Sequence, residues 1–177
     1  MLGLKENLRW PVYTITAFVG LFVVIVLVMW INSHLIKKEP TDKTAWIILG
    51  ALVLRALTVV IALASILKWG NKFAPWLILA GLSGCASAQL IYPLAELVVK
   101  LTILTGLIHM PSKGLGNMSP TGWFNLGAVW LIFGIPGALF VKVAVNFKEI
   151  HELPRKWYFV GGALGIAALF AIGLLIG

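Results

Sequence analysis

The stretch IYPLAELVVK, residues 91–100, places Glu96 and Lys100 inside an apolar run that extends from Pro75 to about His109. As one continuous helix this run would be about 52 Å long, whereas the hydrocarbon core of a bilayer is about 30 Å thick. The run is therefore either one long helix, kinked at Pro93 and protruding from the bilayer, or two shorter helices. This choice decides how often the chain crosses the membrane.

The composition of the whole chain is that of an integral membrane protein. Of its 177 residues, 60% are hydrophobic and only 11% are charged. A soluble fold has too little interior to cover so much apolar surface. We therefore predict a single transmembrane domain, residues 1–177, whose surroundings are the lipid bilayer. The first apolar run is too long for a cleaved signal peptide, and we expect it to remain as a signal anchor.

The apolar segments predict an all-α, polytopic bundle of five transmembrane helices, in which the third is long and kinked at Pro93. Tryptophans lie near the ends of several segments, as is typical of residues at the membrane interface. The predicted spans cover residues 11–35, 44–67, 75–109, 123–147 and 157–177.

The basic residues favour five spans over six. With five spans, seven Lys and Arg fall on the side of the N-terminus and four on the other, whereas a hairpin in the third segment would give five against six. Because Lys and Arg accumulate in short cytoplasmic loops, we predict a cytoplasmic N-terminus and an outside C-terminus, in the cell membrane.

The net charge of +8 does not indicate a nucleic-acid partner. The basic residues flank the apolar segments, where they meet anionic headgroups. The single cysteine, Cys85, cannot form an intrachain disulfide. The sequence EIHE at residues 149–152 lacks the second histidine of the zinc motif H-E-x-x-H, so we predict neither a metal site nor a cofactor.

The polar groups of the third segment share one helix face. Three or four residues separate each from the next along the series Gly81, Cys85, Gln89, Tyr92, Glu96 and Lys100. Pro93 removes a backbone hydrogen bond and frees the carbonyl of Gln89, which needs another partner in lipid.

Arg55 lies near the middle of the second segment. A guanidinium at this depth costs from about 2.5 kcal/mol upward, so it should face the bundle interior and find a carboxylate. Glu96 is the only acidic residue inside a predicted span. We therefore predict a contact between Arg55 and Glu96. Lys100, one turn after Glu96, either shares that carboxylate or extends to the outer interface.

Pro136 and Gly137 interrupt the fourth segment, and together with Pro93 they are predicted hinges. Two interrupted spans are a sequence pointer to discontinuous helices around a binding site at the bilayer midplane. We expect the second and fourth segments to pack against the polar face of the third. Small residues predict close helix packing, within the chain or with a partner subunit, at Gly81, Gly161, Gly165 and Ala167.

The polar face admits two interpretations, because such residues either hold membrane helices together or line a path for a ligand, ion or proton. The leading hypothesis is a small transporter, or the membrane subunit of a larger one, binding a small polar or anionic solute. Its predicted binding residues are Arg55, Gln89, Tyr92, Glu96 and Lys100.

Two other functions stay open. The first is a non-transporting accessory or assembly protein that docks on a larger membrane complex or forms a homo-oligomer, with Arg55 and Glu96 as an architectural pair. The second is an intramembrane enzyme. For the enzyme we find no support, because the buried serines have no histidine at membrane depth and Glu96 has no second acid beside it.

Overall fold

The computed structural model describes residues 2–176, with the side chains of residues 8–174. Over this range the secondary structure is helical, without strands. The helices are α1 (Leu2–Ile31), α2 (Lys43–Ala64), α3 (Pro75–Leu104), α4 (Pro120–Val129), α5 (Ile135–Ile150) and α6 (Lys156–Ile176). A π-turn at Trp130–Gly134 joins α4 to α5, and another at Asn32–Ile36 extends α1.

Five helical stretches are long and apolar enough to cross a membrane, as predicted. They are Leu8–Ile36, Lys43–Ala64, Pro75–Leu104, Pro120–Ile150 and Lys156–Leu174. The fourth stretch contains both α4 and α5, because the π-turn between them keeps the chain helical. The observed bounds differ from the predicted ones by a few residues at most ends.

The third segment forms one helix, α3, which continues past Pro93 and ends at Leu104, five residues before His109. Gly106 explains this end. It adopts a positive φ of 73°, and the amide of Leu107 donates back to the carbonyl of Thr102. This is the pattern of a helix that is closed by a left-handed glycine. The segment therefore contains no hairpin, since α3 is continuous from Pro75 to Leu104.

Side-chain caps fix the starts of two other helices. Asp42 accepts a hydrogen bond from the amide of Ala45 at 2.8 Å, at the start of α2. Ser119 accepts one from the amide of Gly122 at 3.2 Å, and Pro120 follows it as the first residue of α4. Proline is tolerated at this position because its missing amide hydrogen would have no helical partner there.

Helix α3 is the centre of the bundle, and its most extensive contacts are with α6 and α5. Helix α1 packs against α2 and α5. The apolar core lies between α1, α3 and α5, where Ile15, Leu79 and Phe140 are fully buried. The fourth span therefore lies against α3 as predicted, through α5.

The prediction for the second span needs correction, because α2 lies mainly against α1 and touches α3 at few points. One of these is Gly81, where an added Cβ would come within 3.1 Å of the Ile61 side chain. The place beside α3 is taken by α6, whose glycines allow a closer approach than the branched side chains of α2.

The α3–α6 contact is made through backbone atoms. A Cβ added to Gly161 would lie 2.2 Å from the carbonyl oxygen of Ala80, and one added to Gly165 would lie 2.2 Å from that of Gly84. The hydroxyl of Ser87 donates to the carbonyl of Gly162 at 2.8 Å. The helix that these glycines approach is thus internal to the chain. Ala167 is exposed and lies outside this contact, so its predicted packing with a partner subunit stays a prediction.

Candidate functional site

Arg55, near the middle of α2, points into the bundle and is 8% exposed. Its Nη1 donates to Oε1 of Gln89 on α3 at 2.7 Å, and its Nη2 donates to the carbonyl of Ile132 at 2.6 Å. The guanidinium also lies over the ring of Phe133, with its carbon 4.3 Å from the ring centroid. Arg55 therefore connects three spans. We call Arg55, Gln89 and the Ile132 carbonyl the Arg55 site.

Two prolines lie one helical turn after the partners of Arg55, and one of them, Pro136, frees the carbonyl that Arg55 binds. Proline has no amide hydrogen to donate to the residue four positions before it, which is Gln89 for Pro93 and Ile132 for Pro136. Arg55 donates to the Ile132 carbonyl and to the side chain of Gln89. Sequence reasoning identified the free carbonyl at Gln89 but missed Ile132, although the same count back from Pro136 would have found it.

A second polar cluster lies two helical turns further along α3. Nζ of Lys100 is 3.6 Å from Oε1 of Glu96, and both side chains are buried. Lys100 also donates to the backbone carbonyl of Asn117, in the loop before α4, and lies over the ring of Trp123 at 5.4 Å. Lys100 therefore contacts the carboxylate of Glu96, as in one of its two predicted alternatives, but it does not share this carboxylate with Arg55.

The predicted contact between Arg55 and Glu96 is wrong. Within residues 8–174, Glu96 forms its ion pair with Lys100, and Arg55 has the neutral partners described above. Gln89 and Glu96 are about 10 Å apart along α3, and Arg55 meets the former. Lys100 lies on the same helix as Glu96, four residues later. The contact between them therefore does not depend on how two spans are positioned relative to each other.

These contacts leave the Arg55 site with a positive charge and two unused donors. Glu96 and Lys100 cancel each other's charge, whereas no carboxylate of residues 8–174 lies within ion-pair distance of Arg55. Nε of Arg55 and Nε2 of Gln89 are buried and have no hydrogen-bond partner in the described part of the chain. A buried donor without a partner costs about 1–3 kcal/mol, more when it is charged. The site therefore has capacity to bind an acceptor.

Tyr92 lies between the two clusters in sequence, but it is 49% exposed. Its hydroxyl interacts with the carboxylate of Glu96. The side chain also lines a shallow apolar groove of about 400 Å³ between α3 and α6, together with Ala95, Leu115 and Phe170. The structure thus places Arg55 with Gln89 and Glu96 with Lys100, and Tyr92 at the surface beside the second pair.

The predicted hinge residues lie close to the Arg55 site. Pro93, Pro136 and Gly137 are all buried. A Cβ added to Gly137 would lie 2.7 Å from the side chain of Leu90 and 3.3 Å from Cβ of Gln89, so α5 approaches α3 directly beside Gln89. The π-turn before Pro136 is a local departure from α-helical geometry of a kind that is frequent at functional sites.

The hydroxyls of Ser83 and Ser87 donate hydrogen bonds to backbone carbonyls. Ser83 donates to the carbonyl of Leu79, and Ser87 donates to the carbonyls of Gly84 and Gly162. Among the described residues, no group of three His, Cys, Asp or Glu is arranged to hold a metal ion. His34 lies against Trp30, with ring centroids 5.0 Å apart.

The buried polar groups are therefore the features that bear on function. The Arg55 site combines a positive charge and two unused donors with a proline inside α3 and a π-turn in the fourth span. No protein-family model matches the chain, and neither the curated proteins nor the solved structures contain a match.

Proposed function

We propose that the protein is a small membrane transporter, or the membrane subunit of a larger one, and that it binds a small polar or anionic solute at the Arg55 site. The supporting observation is that the Arg55 guanidinium is 8% exposed and near the middle of a span, yet has neutral partners. Ionisable residues at membrane depth are costly and commonly mark a solute or ion pathway.

In this proposal the two polar clusters have different roles. Arg55 supplies the charge that attracts the solute, and Gln89 orients it by hydrogen bonding. Glu96 and Lys100 form a neutral pair that holds the loop before α4 against α3, through the Asn117 carbonyl. Tyr92 offers a hydroxyl at the entrance to the groove.

Bending of α3 and of the fourth span at their prolines supplies the movement that transport needs. Pro93, Pro136 and Gly137 are the proposed hinges, because proline and π-turns are common causes of helix bending. A solute that accepts a hydrogen bond from Nε of Arg55 pulls on the guanidinium, whose Nη2 holds the Ile132 carbonyl. Binding is thereby coupled to bending of the fourth span. The proposed orientation has the N-terminus in the cytoplasm and the C-terminus outside, in the cell membrane.

Uptake into proteoliposomes tests the proposal. The purified protein is reconstituted and supplied with a panel of labelled anions, amino acids and neutral polar solutes. We expect Arg55→Gln to reduce uptake of the transported solute to the level of protein-free liposomes. Lys142→Gln is the matched control, since Lys142 is an exposed lysine that lies over the ring of Trp10. Full uptake by a folded Arg55→Gln protein would reject the proposal.

The second candidate is a non-transporting accessory protein, and the observation that favours it is that Arg55 already connects three spans within the chain. Under this function Arg55 and the Glu96–Lys100 pair fix which helices pack together. A protein in which these groups are replaced by neutral residues should then keep its function. Purification from membranes at a constant ratio to a larger partner would favour this candidate over the transporter.

A further inference from the structure

We infer that the Arg55 site binds a monovalent anion of one to a few atoms, the size of a halide or nitrate, between Nε of Arg55 and Nε2 of Gln89. The inference deepens the proposed function, on which it rests for the role of the bound solute, because it names the solute class.

One negative charge would neutralise the Arg55 site. The ion pair of Glu96 with Lys100 is neutral, so Arg55 contributes an uncompensated positive charge to the interior of the bundle. One monovalent anion beside Arg55 gives a neutral interior. A divalent anion would leave a net negative charge, which has the same kind of desolvation cost as the unpaired guanidinium.

The donors are already in place. Nη1 of Arg55 and Oε1 of Gln89 are joined at 2.7 Å, which holds the guanidinium and the amide against each other. Two further nitrogen atoms of these groups, Nε of Arg55 and Nε2 of Gln89, have no partner within residues 8–174. Both side chains are more than nine-tenths buried, at 8% and 6% exposure. An anion is an acceptor that can use both donors.

The close packing around Gln89 favours a small anion. Gly137 approaches so closely that even an added methyl group would lie 3.3 Å from Cβ of Gln89 and 2.7 Å from the side chain of Leu90. The Ile132 carbonyl oxygen also lies against the guanidinium, 2.6 Å from Nη2. Carboxylic acids with a long carbon chain and phosphate esters would have to displace these elements. A halide or nitrate would displace few atoms.

The Glu96–Lys100 pair is a poorer site for the same anion. Glu96 would repel it, and Nζ of Lys100 already interacts with this carboxylate and with the carbonyl of Asn117. The anion is therefore expected at Arg55 alone.

Thermal unfolding of the purified protein in neutral detergent tests the inference. Tryptophan fluorescence is followed while gluconate is replaced by chloride or nitrate at constant ionic strength, with sulfate as a divalent control. Because an anion that binds only the folded state stabilises it by mass action, we expect Tm to rise by a few degrees between about 1 and 100 mM chloride or nitrate. Gluconate and sulfate should give no rise.

Gln89→Glu is the decisive variant, because it replaces the amide by a carboxylate of the same shape, tethered beside Arg55. We expect its Tm in gluconate to exceed that of the parent protein, and chloride to add nothing further. Lys142→Gln changes the net charge by the same amount at an exposed position and should keep the full chloride response. A chloride response of equal size in Gln89→Glu, or none in the parent protein, would overturn the inference.

The outcome is separable from that of the transport experiment. A chloride response that Gln89→Glu abolishes, without uptake of any solute, would support the anion site and reject the transporter. Uptake of a neutral solute that depends on Arg55, without any chloride response, would support the transporter and reject the anion.

Discussion

Nη2 of Arg55 lies 2.6 Å from the carbonyl oxygen of Ile132, the carbonyl that Pro136 leaves without its α-helical amide partner. Arg55 on α2 therefore donates the hydrogen bond that the nitrogen of Pro136, in α5, cannot donate to this carbonyl. In lipid such a replacement is needed, because no water is present to serve the free carbonyl. The interruption of the fourth span and the charge in the second are thus parts of one arrangement.

Because Arg55 serves the carbonyl freed by Pro136, the two residues should be energetically coupled. In Pro136→Ala the restored amide can bond the Ile132 carbonyl, so loss of Arg55 should cost less in that background. We expect a coupling of about 0.6–1.7 kcal/mol between Arg55→Leu and Pro136→Ala, the range for hydrogen bonds between membrane helices. Unfolding in mixed SDS micelles measures this coupling energy.

Pro93→Ala is the control, because Arg55 bonds the side chain of Gln89 rather than its carbonyl. Equal coupling of Arg55→Leu with Pro136→Ala and with Pro93→Ala would contradict the interpretation.

Replacing one member of the Glu96–Lys100 pair by a neutral residue should destabilise the protein more than replacing both. Lys100→Met leaves a buried carboxylate without its counter-ion, a change that typically costs about 3–5 kcal/mol. The double replacement Glu96→Gln with Lys100→Met leaves no charge and should cost less than Lys100→Met alone. The free energies of unfolding of the three proteins check the order. A double variant that is less stable than the single one would show that the pair is not the main partner of either charge.

The α3–α6 contact should not tolerate side chains at its glycines. In Gly165→Ala the new methyl group would meet the carbonyl oxygen of Gly84 at 2.2 Å, so the helices must separate. We expect a loss of about 1–3 kcal/mol in unfolding free energy, as for other overpacked cores. Gly173→Ala is the matched control on the same helix, because nothing lies within 4 Å of its added Cβ. Similar losses in both variants would mean that the close contact is absent in the membrane.

The proposed orientation places Ser112 outside the cell and Glu152 in the cytoplasm. Replacing the buried Cys85 by alanine gives a background without cysteine, since it is the only one in the sequence. In this background, a membrane-impermeant maleimide should label Ser112→Cys on intact cells and Glu152→Cys only after lysis. The reverse pattern would invert the orientation.

The five long apolar helices could be predicted because the hydropathy of a segment depends only on its own residues, and the polar loops and terminal tryptophans limit where a helix can begin and end. The pairing of Glu96 with Lys100 was also accessible, since both residues lie on one helix at a fixed spacing. Contacts within a helix need no knowledge of how the helices pack.

The partner of Arg55 could not be predicted by matching charges. The residue of α3 that Arg55 meets depends on how far α2 and α3 are shifted relative to each other along the bundle axis. Helix packing sets this shift, and the hydropathy pattern does not predict it. Electrostatic reasoning favoured Glu96, whereas the structure has Gln89. Similarly, Gly161 and Gly165 indicated a close helix contact, but nothing in their spacing identified α3 as the neighbour.

The glycine contact between α3 and α6 has a consequence for biosynthesis. Gly84 and Gly165 are separated by about 80 residues, so at about 5–20 residues per second the ribosome delivers the second about 4–16 seconds after the first. During this interval α3 meets lipid where α6 will later lie. Its Ser87 hydroxyl already has an acceptor on its own helix, the Gly84 carbonyl at 3.1 Å. The nascent helix can therefore enter the bilayer before its partner exists and acquires the Gly162 carbonyl when that partner arrives.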